Sequence, residues 1–147
     1  QGYALRYYMH RTRDDPAWGW AMVNLSASGP IFGEETFRFG MEGIAEGLIT
    51  EQFKAPNARM VCDLMHGTTL AGMITLLRSE QPPEYPEQML TLILRGLGVS
   101  ETLIERCVRA ELPDPYEFVK QFGEAPQSGG ADLLGLSHLA YKPSFTD

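Results

Sequence analysis

Apolar residues along this chain recur at three- and four-residue intervals and nowhere in the alternation of a half-buried strand, so the pattern predicts helices alone. The most apolar stretch, residues 57–99, reads as two helices joined by a proline-rich turn at 81–84. The first, 57–78, would be about 33 Å long. Its apolar positions cover nearly the whole circumference, and such a helix must be buried on more than one side. The second, 86–97, carries Met89, Leu90, Leu92, Ile93, Leu94 and Leu97, more apolar surface than one neighbour in a small monomer covers. The pair is therefore expected to serve a core on one side and a subunit interface on the other. Gly67, Thr68, Ala71, Gly72 and Thr75 of the first helix and Met89, Leu90, Ile93, Leu94 and Leu97 of the second are expected at that interface.

Four further helices complete the pattern. Residues 1–13 carry Tyr3, Leu5, Tyr7, Tyr8 and Met9 and close at Asp14, Asp15 and Pro16. Asp15 is suited to cap the next helix and Pro16 to open it. That helix, 16–27, holds Trp18, Trp20, Met22, Val23 and Leu25, with Asn24 and Ser26 as polar interruptions. Glu34 and Glu35 start a third on its positive end, amphipathic through Phe37, Met41, Ile44, Ala45 and Leu48 and reaching Phe53. Gly40, Gly43 and Gly47 within it each cost about 1 kcal/mol against alanine, which points to close backbone approach or to space kept for something else. Asn57 caps the long helix, Pro86 takes the first position of the next, and Ser100 caps 101–110, where Val99 and Ile104 have the spacing of a hydrophobic staple. From Pro113 the chain turns to Gly, Pro and Ser with two short apolar pieces, PYEFVKQF and ADLLGLSHLA, expected as short helices packed on the bundle. The fold class is all-α: a bundle of five to six helices over 1–112 and an irregular Gly/Pro-rich extension over 113–147.

Composition narrows the function. At 147 residues the chain is long enough to bury a core without disulfides or metal. A hydrophobic fraction of 44% with 21% charged residues is ordinary for a soluble protein, and no apolar run is uninterrupted enough to be expected to span a bilayer. The net charge of -7, with scattered basic residues, argues against a nucleic-acid surface on this segment. Cys62 and Cys107 have no CxxC spacing, so neither a disulfide scaffold nor a zinc site is expected and a reducing cytoplasm is the simplest home. The chain opens on Gln1 rather than Met and shows no signal-peptide pattern, and it is expected to be a segment of something longer.

Four local patterns, in this order, carry a family resemblance: DDPAW at 14–18, EGLITEQF at 46–53, the long helix MVCDLMHGTTLAGMITLL, and YPEQMLTLILRGLGVSET. Over about residues 5–112 the layout resembles the C-terminal effector-binding and dimerisation domain of TetR-family transcriptional regulators. The resemblance implies an intermolecular four-helix bundle built from the long helix and the RGLG helix of two subunits. It also implies an apolar effector pocket enclosed by the preceding helices, and an N-terminal helix-turn-helix of about fifty residues, which this segment does not contain. DNA would be bound only through that missing part. The expected partners are a second copy of the chain and a small, mostly apolar effector. A repressor is expected, and no membrane, metal or cofactor.

Candidate chemistry fits a sensor better than a catalyst. Trp18, Trp20, Met22, Phe37, Met41, Ile44, Met65 and Met73 suit an adaptable apolar pocket, and would equally pack a core. Asn24, His66, Thr68 and Thr69 interrupt apolar helices and would orient a ligand, or bond to their own helix. The ligand site is expected on Trp18, Met22, Asn24, Phe37, Met41, Ile44, Met65, His66, Thr69 and Met73. Cys62 and His66 stand four residues apart beside Asp63, a spacing open to a nucleophile and base or to a metal, but two groups on one helix do not close a site. His10 and His138 read as surface residues. GxGxxG after a strand, P-loop, HExxH and GxSxG patterns are all missing. The alternatives are a small helical enzyme using His66 with Cys62 or Asp63, and a dimerisation bundle without a ligand.

Overall fold

Among the described residues, helices α1 (Gly2–Asp14), α2 (Pro16–Ser26), α3 (Glu34–Ile49), α4 (Ala58–Arg78), α5 (Tyr85–Gly96) and α6 (Glu101–Arg109) follow in order with no strand between them, so the fold is all-α. The computed structural model describes residues 2–29, 31–52 and 54–112. The chain divides into a unit spanning Gln1–Leu112 and a second spanning Pro113–Asp147. The short helices expected in the second unit lie outside the described residues.

Local chemistry sets most helix ends where the pattern placed them. The Asp15 carboxylate accepts from the Trp18 amide at 3.1 Å with Pro16 behind it, and the Asn57 side chain accepts from the Met60 amide at 3.0 Å. Each bond satisfies an orphan donor of a first turn. Three ends differ from expectation. Pro86 takes the second position of α5, after Tyr85. Ser100 occupies the cap position of α6 without a capping bond from its side chain, and the staple pair Val99 and Ile104 is buried there instead. α3 stops at Ile49, short of Phe53, because Glu51 turns left-handed at φ 55° and the Gln52 amide folds back onto the Gly47 carbonyl at 2.8 Å.

The long helix α4 is the axis of the bundle, packed against α1, α2, α3 and α5, while α1 crosses it and also reaches α2, α5 and α6. Met9, Ile44, Val61, Cys62, Met73 and Leu90 form the fully buried centre, each large apolar chain being worth about 1.5–3 kcal/mol of burial. Gly72 is what lets α1 come so near: a Cβ there would collide with the Met9 thioether. Gly19 does the same for α2, where a Cβ would fall 2.7 Å from Thr12 Cγ2. By length and apolar composition α4 could cross a membrane, contrary to the expectation from sequence; its positions 61, 62, 65, 69, 72 and 73 are buried in the bundle, and a third of its most apolar window is buried in all.

The residues expected at a subunit interface divide. Leu90, Ile93, Leu94, Leu97 and Gly72 lie in the chain's own core, so the side of α5 they share is not outer surface. Gly67, Thr68, Thr75 and Met89 are half-buried and Ala71 is exposed. What α4 and α5 turn outward instead is Met60, 54% exposed, Leu64, 44%, and Leu92, 65%. Helical periodicity identifies an apolar face; it does not say which of two such faces a neighbour of the same chain will take.

Candidate functional site

Most buried hydroxyls are consumed locally and leave no chemistry to offer. Thr12, Ser26 and Thr69 donate to the carbonyls four residues back, Tyr8, Met22 and Met65, at 2.7, 2.8 and 2.7 Å. The groups that remain converge beside α4, on which α1 and α3 each pack. Tyr8 comes from α1, Cys62 and His66 from adjacent turns of α4, Thr36, Phe37 and Gly40 from the first half of α3, and Phe32 from the turn before α3.

The cluster is built from rings. Phe32 stacks on Tyr8 with centroids 4.2 Å apart at 25°, and Trp18 of α2 stacks on Tyr8 at 5.7 Å and 25°. His66 meets Phe32 edge-on at 5.7 Å and Phe37 at 5.9 Å. Phe32 and Phe37 hold the two staple positions flanking the start of α3, and His66 lies against both. Gly40 permits the approach, because a Cβ there would lie 3.3 Å from His66 Nε2. Phe37 is covered on its outer side by the Arg59 guanidinium, 4.9 Å from the ring centroid.

Burial keeps the polar members uncharged. The Tyr8 phenol is pushed up to about 12 by desolvation, which the Thr36 hydrogen bond only partly offsets. Desolvation also raises the Cys62 thiol, helped by the Asp63 carboxylate and opposed by Arg59, and it lowers His66 below the ordinary histidine value against the pull of Asp63. Cys62 Sγ and His66 Nδ1 lie 3.6 Å apart, a contact of a neutral thiol with a neutral imidazole. Asp63 does not orient the ring. It points outward to accept from Arg59 Nε through both oxygens, at 2.9 and 3.0 Å. Near neutral pH the cluster therefore offers stacking and weak hydrogen bonding rather than an activated nucleophile.

Phe32 is the anomaly in this cluster. It is 6% exposed, yet its backbone is left-handed at φ 63°, a conformation that costs a bulky L-residue about 1–2 kcal/mol. The stack on Tyr8 and the burial of the ring offset that strain.

Of the residues expected to bind ligand, the structure brings Trp18, Phe37 and His66 into this cluster. Met22, Ile44, Met65 and Met73 are core residues, Met41 is half-buried on α3, Thr69 is consumed by its own helix, and Asn24 is exposed. Tyr8, Phe32 and Thr36 were not singled out from sequence. The staple spacing around Gly33 was the available signal for Phe32. It does not reach Tyr8 and Thr36, which come together only because α1 and α3 both pack on α4, and no local pattern encodes that. Among the described residues no group of three or more His, Cys, Asp or Glu is placed to hold a metal ion.

Compared with known proteins, the chain matches no family model, no curated protein and no solved structure.

Proposed function

We propose that residues 1–112 are the ligand-sensing and dimerisation domain of a TetR-like transcriptional regulator, a cytoplasmic repressor whose DNA-reading helix-turn-helix belongs to an N-terminal part outside this segment. In this reading the chain binds rather than catalyses. A small, mostly apolar effector enters at the uncharged ring cluster and shifts α1 and α3 against α4. Two copies join through α4 and α5, and the shift changes the spacing of their DNA-reading heads.

The observation that carries the reading is the apolar strip left open on α4, together with an exposed leucine on α5. Met60, Leu64 and Ala71 recur at helical spacing around Gly67, where a Cβ would meet no atom within 4 Å, and Leu92 is exposed on α5. A strip with a small residue at its middle admits a second helix closely, and a two-fold pair of identical chains is the commonest way to cover such a face. The uncharged ring cluster supports the effector half of the proposal.

Sedimentation analysis and native mass spectrometry of the chain test it. A dimer is expected at micromolar concentration, and Leu64→Glu with Leu92→Glu should convert it to a monomer of unchanged helix content. A wild-type monomer over the same range would remove the dimerisation half of the reading.

A further inference from the structure

Phe32 has three properties that rarely occur together: a left-handed backbone, a buried ring and a surface turn to carry it. Its φ is 63°, the next residue, Gly33, is also left-handed at φ 88°, and Ser28 and Gly29 on its N-terminal side are exposed. Its amide is held only by a long bond to Ser26 Oγ at 3.3 Å. Moving the ring out requires this turn to rearrange while α2 and α3 remain formed. The walls left behind would be the Tyr8 face at 4.2 Å and the His66 edge at 5.7 Å, with Phe37 beyond His66.

We propose that the Phe32 ring is a built-in occupant of an aromatic slot, and that a neutral aromatic molecule of one or two fused rings binds there by displacing it. The inference rests on the sensor reading above and names the chemical class of its effector. Stacking is the main basis of recognition, because the walls are a ring face and a ring edge and two of their polar atoms are already engaged. The Tyr8 hydroxyl bonds with Thr36 and His66 Nδ1 with Cys62. The charges beside the cluster are paired among themselves, Arg59 with Asp63 on α4 and Arg11, 5.7 Å over the Trp18 ring, with Asp15 at 3.6 Å, so none is left over to neutralise a charged ligand. A ligand that takes the place of the ring also releases the left-handed strain. The free state is thus a closed, self-occupied one, and its closure lowers apparent affinity by the fraction of molecules in which the slot is open.

The test uses the full chain with 2-naphthol and indole as neutral probes and 2-naphthoate as a charged one. Affinities are measured by titration calorimetry, and exchange of the amides at 27–34 is followed by hydrogen–deuterium mass spectrometry. The wild type is expected to bind the neutral probes saturably and to exchange faster at 27–34 when bound. Phe32→Gly, which accepts the left-handed backbone without a ring, is expected to bind at least about tenfold tighter. 2-Naphthoate should bind neither form at the concentrations that saturate 2-naphthol. Binding by the variant alone would show that Phe32 is fixed core and the slot an artificial cavity, which overturns the proposal. Wild-type binding with exchange at 27–34 unchanged and no gain in the variant would also overturn it, while leaving the sensor reading standing with its site elsewhere. Equal binding of 2-naphthoate would overturn the neutral class. If neither form binds any probe, the aromatic slot falls, and a dimer persisting in that case would leave only the dimerisation half of the sensor reading.

Discussion

The Arg6 guanidinium and the Glu87 carboxylate meet at 3.0 Å across the contact of α1 with α5, and His10 Nε2 lies 2.8 Å from the same carboxylate oxygen. Arg6 also donates to the last carbonyls of α6, at Cys107 and Ala110, at 3.1 and 2.7 Å. One buried side chain thus ties three helices. Arg6→Met should cost about 2–3 kcal/mol, because it leaves two helix-end carbonyls without their donor and the half-buried Glu87 carboxylate with His10 alone. Urea denaturation followed by circular dichroism measures this, and amides of α6 should exchange faster in the variant.

Acid should weaken the same junction. Burial pushes the Glu87 carboxyl up, but the hydrogen bonds from His10 and Arg6 outweigh it and hold the group below its ordinary value. A carboxylate with a lowered folded pKa stabilises fully above its unfolded pKa, about 4.3, and loses that contribution as pH falls through the folded value. Thermal melts between pH 6 and about 3 should fall more steeply for the wild type than for Glu87→Gln. Parallel curves would remove Glu87 from the acid response.

Gly72 and Met9 form the tightest crossing in the core. Gly72→Ala gains about 1 kcal/mol of helix propensity but must displace a methionine that is 0% exposed, so a net loss of about 1–3 kcal/mol is expected from overpacking. Met9→Ala alone should cost about 2–5 kcal/mol through the cavity it leaves. The double variant should lose less than the sum, because the new methyl fills part of that cavity. Additive losses would mean that the two residues are not in contact.

Tyr8 gives a signature at high pH. Its phenol is raised to about 12 by burial, so folding favours the protonated form; the stabilisation is complete below the ordinary tyrosine pKa of about 10 and is lost as pH rises toward the folded value. Absorbance titration near 295 nm should show a late-ionising component in the wild type that is smaller by one tyrosine in Tyr8→Phe. Loss of the Thr36 hydrogen bond in that variant should cost about 1 kcal/mol.

The two cysteines should differ sharply toward alkylating reagents. Cys62 is buried with its thiol pKa raised, whereas Cys107 is partly exposed. Peptide mapping after brief iodoacetamide treatment of the native protein is expected to find Cys107 modified and Cys62 protected until the chain unfolds. Early modification of Cys62 would contradict the closed α3–α4 contact.

The candidate site was only partly legible in the chain. Phe37 and His66 stood out because an aromatic at helical spacing and a histidine in an apolar helix are local anomalies. Tyr8 did not, since Tyr3, Leu5, Tyr7 and Met9 around it carry the same apolar signal. Met65 and Met73 carried that signal too and proved to be core. Asn24 and Thr69 looked alike as polar interruptions, yet one is exposed and the other satisfied within its own turn.

By itself the sequence determined the helical class and, within residues 2–112, most helix ends, because caps such as Asp15 and Asn57, prolines and three-to-four-residue periodicity act within a turn or two of the chain; of the five to six helices it allowed, the described residues form six. The tertiary structure decided what local rules do not encode. Leu90, Ile93, Leu94 and Leu97 went inward while Met60, Leu64 and Leu92 stayed out. Glu87 found Arg6 across 81 residues of chain, and Phe32 was held left-handed against Tyr8. The reason is that a helix with apolar residues on two sides satisfies local rules in either orientation, and only the packing of α1 against α4 and α5 makes one of them lower in free energy.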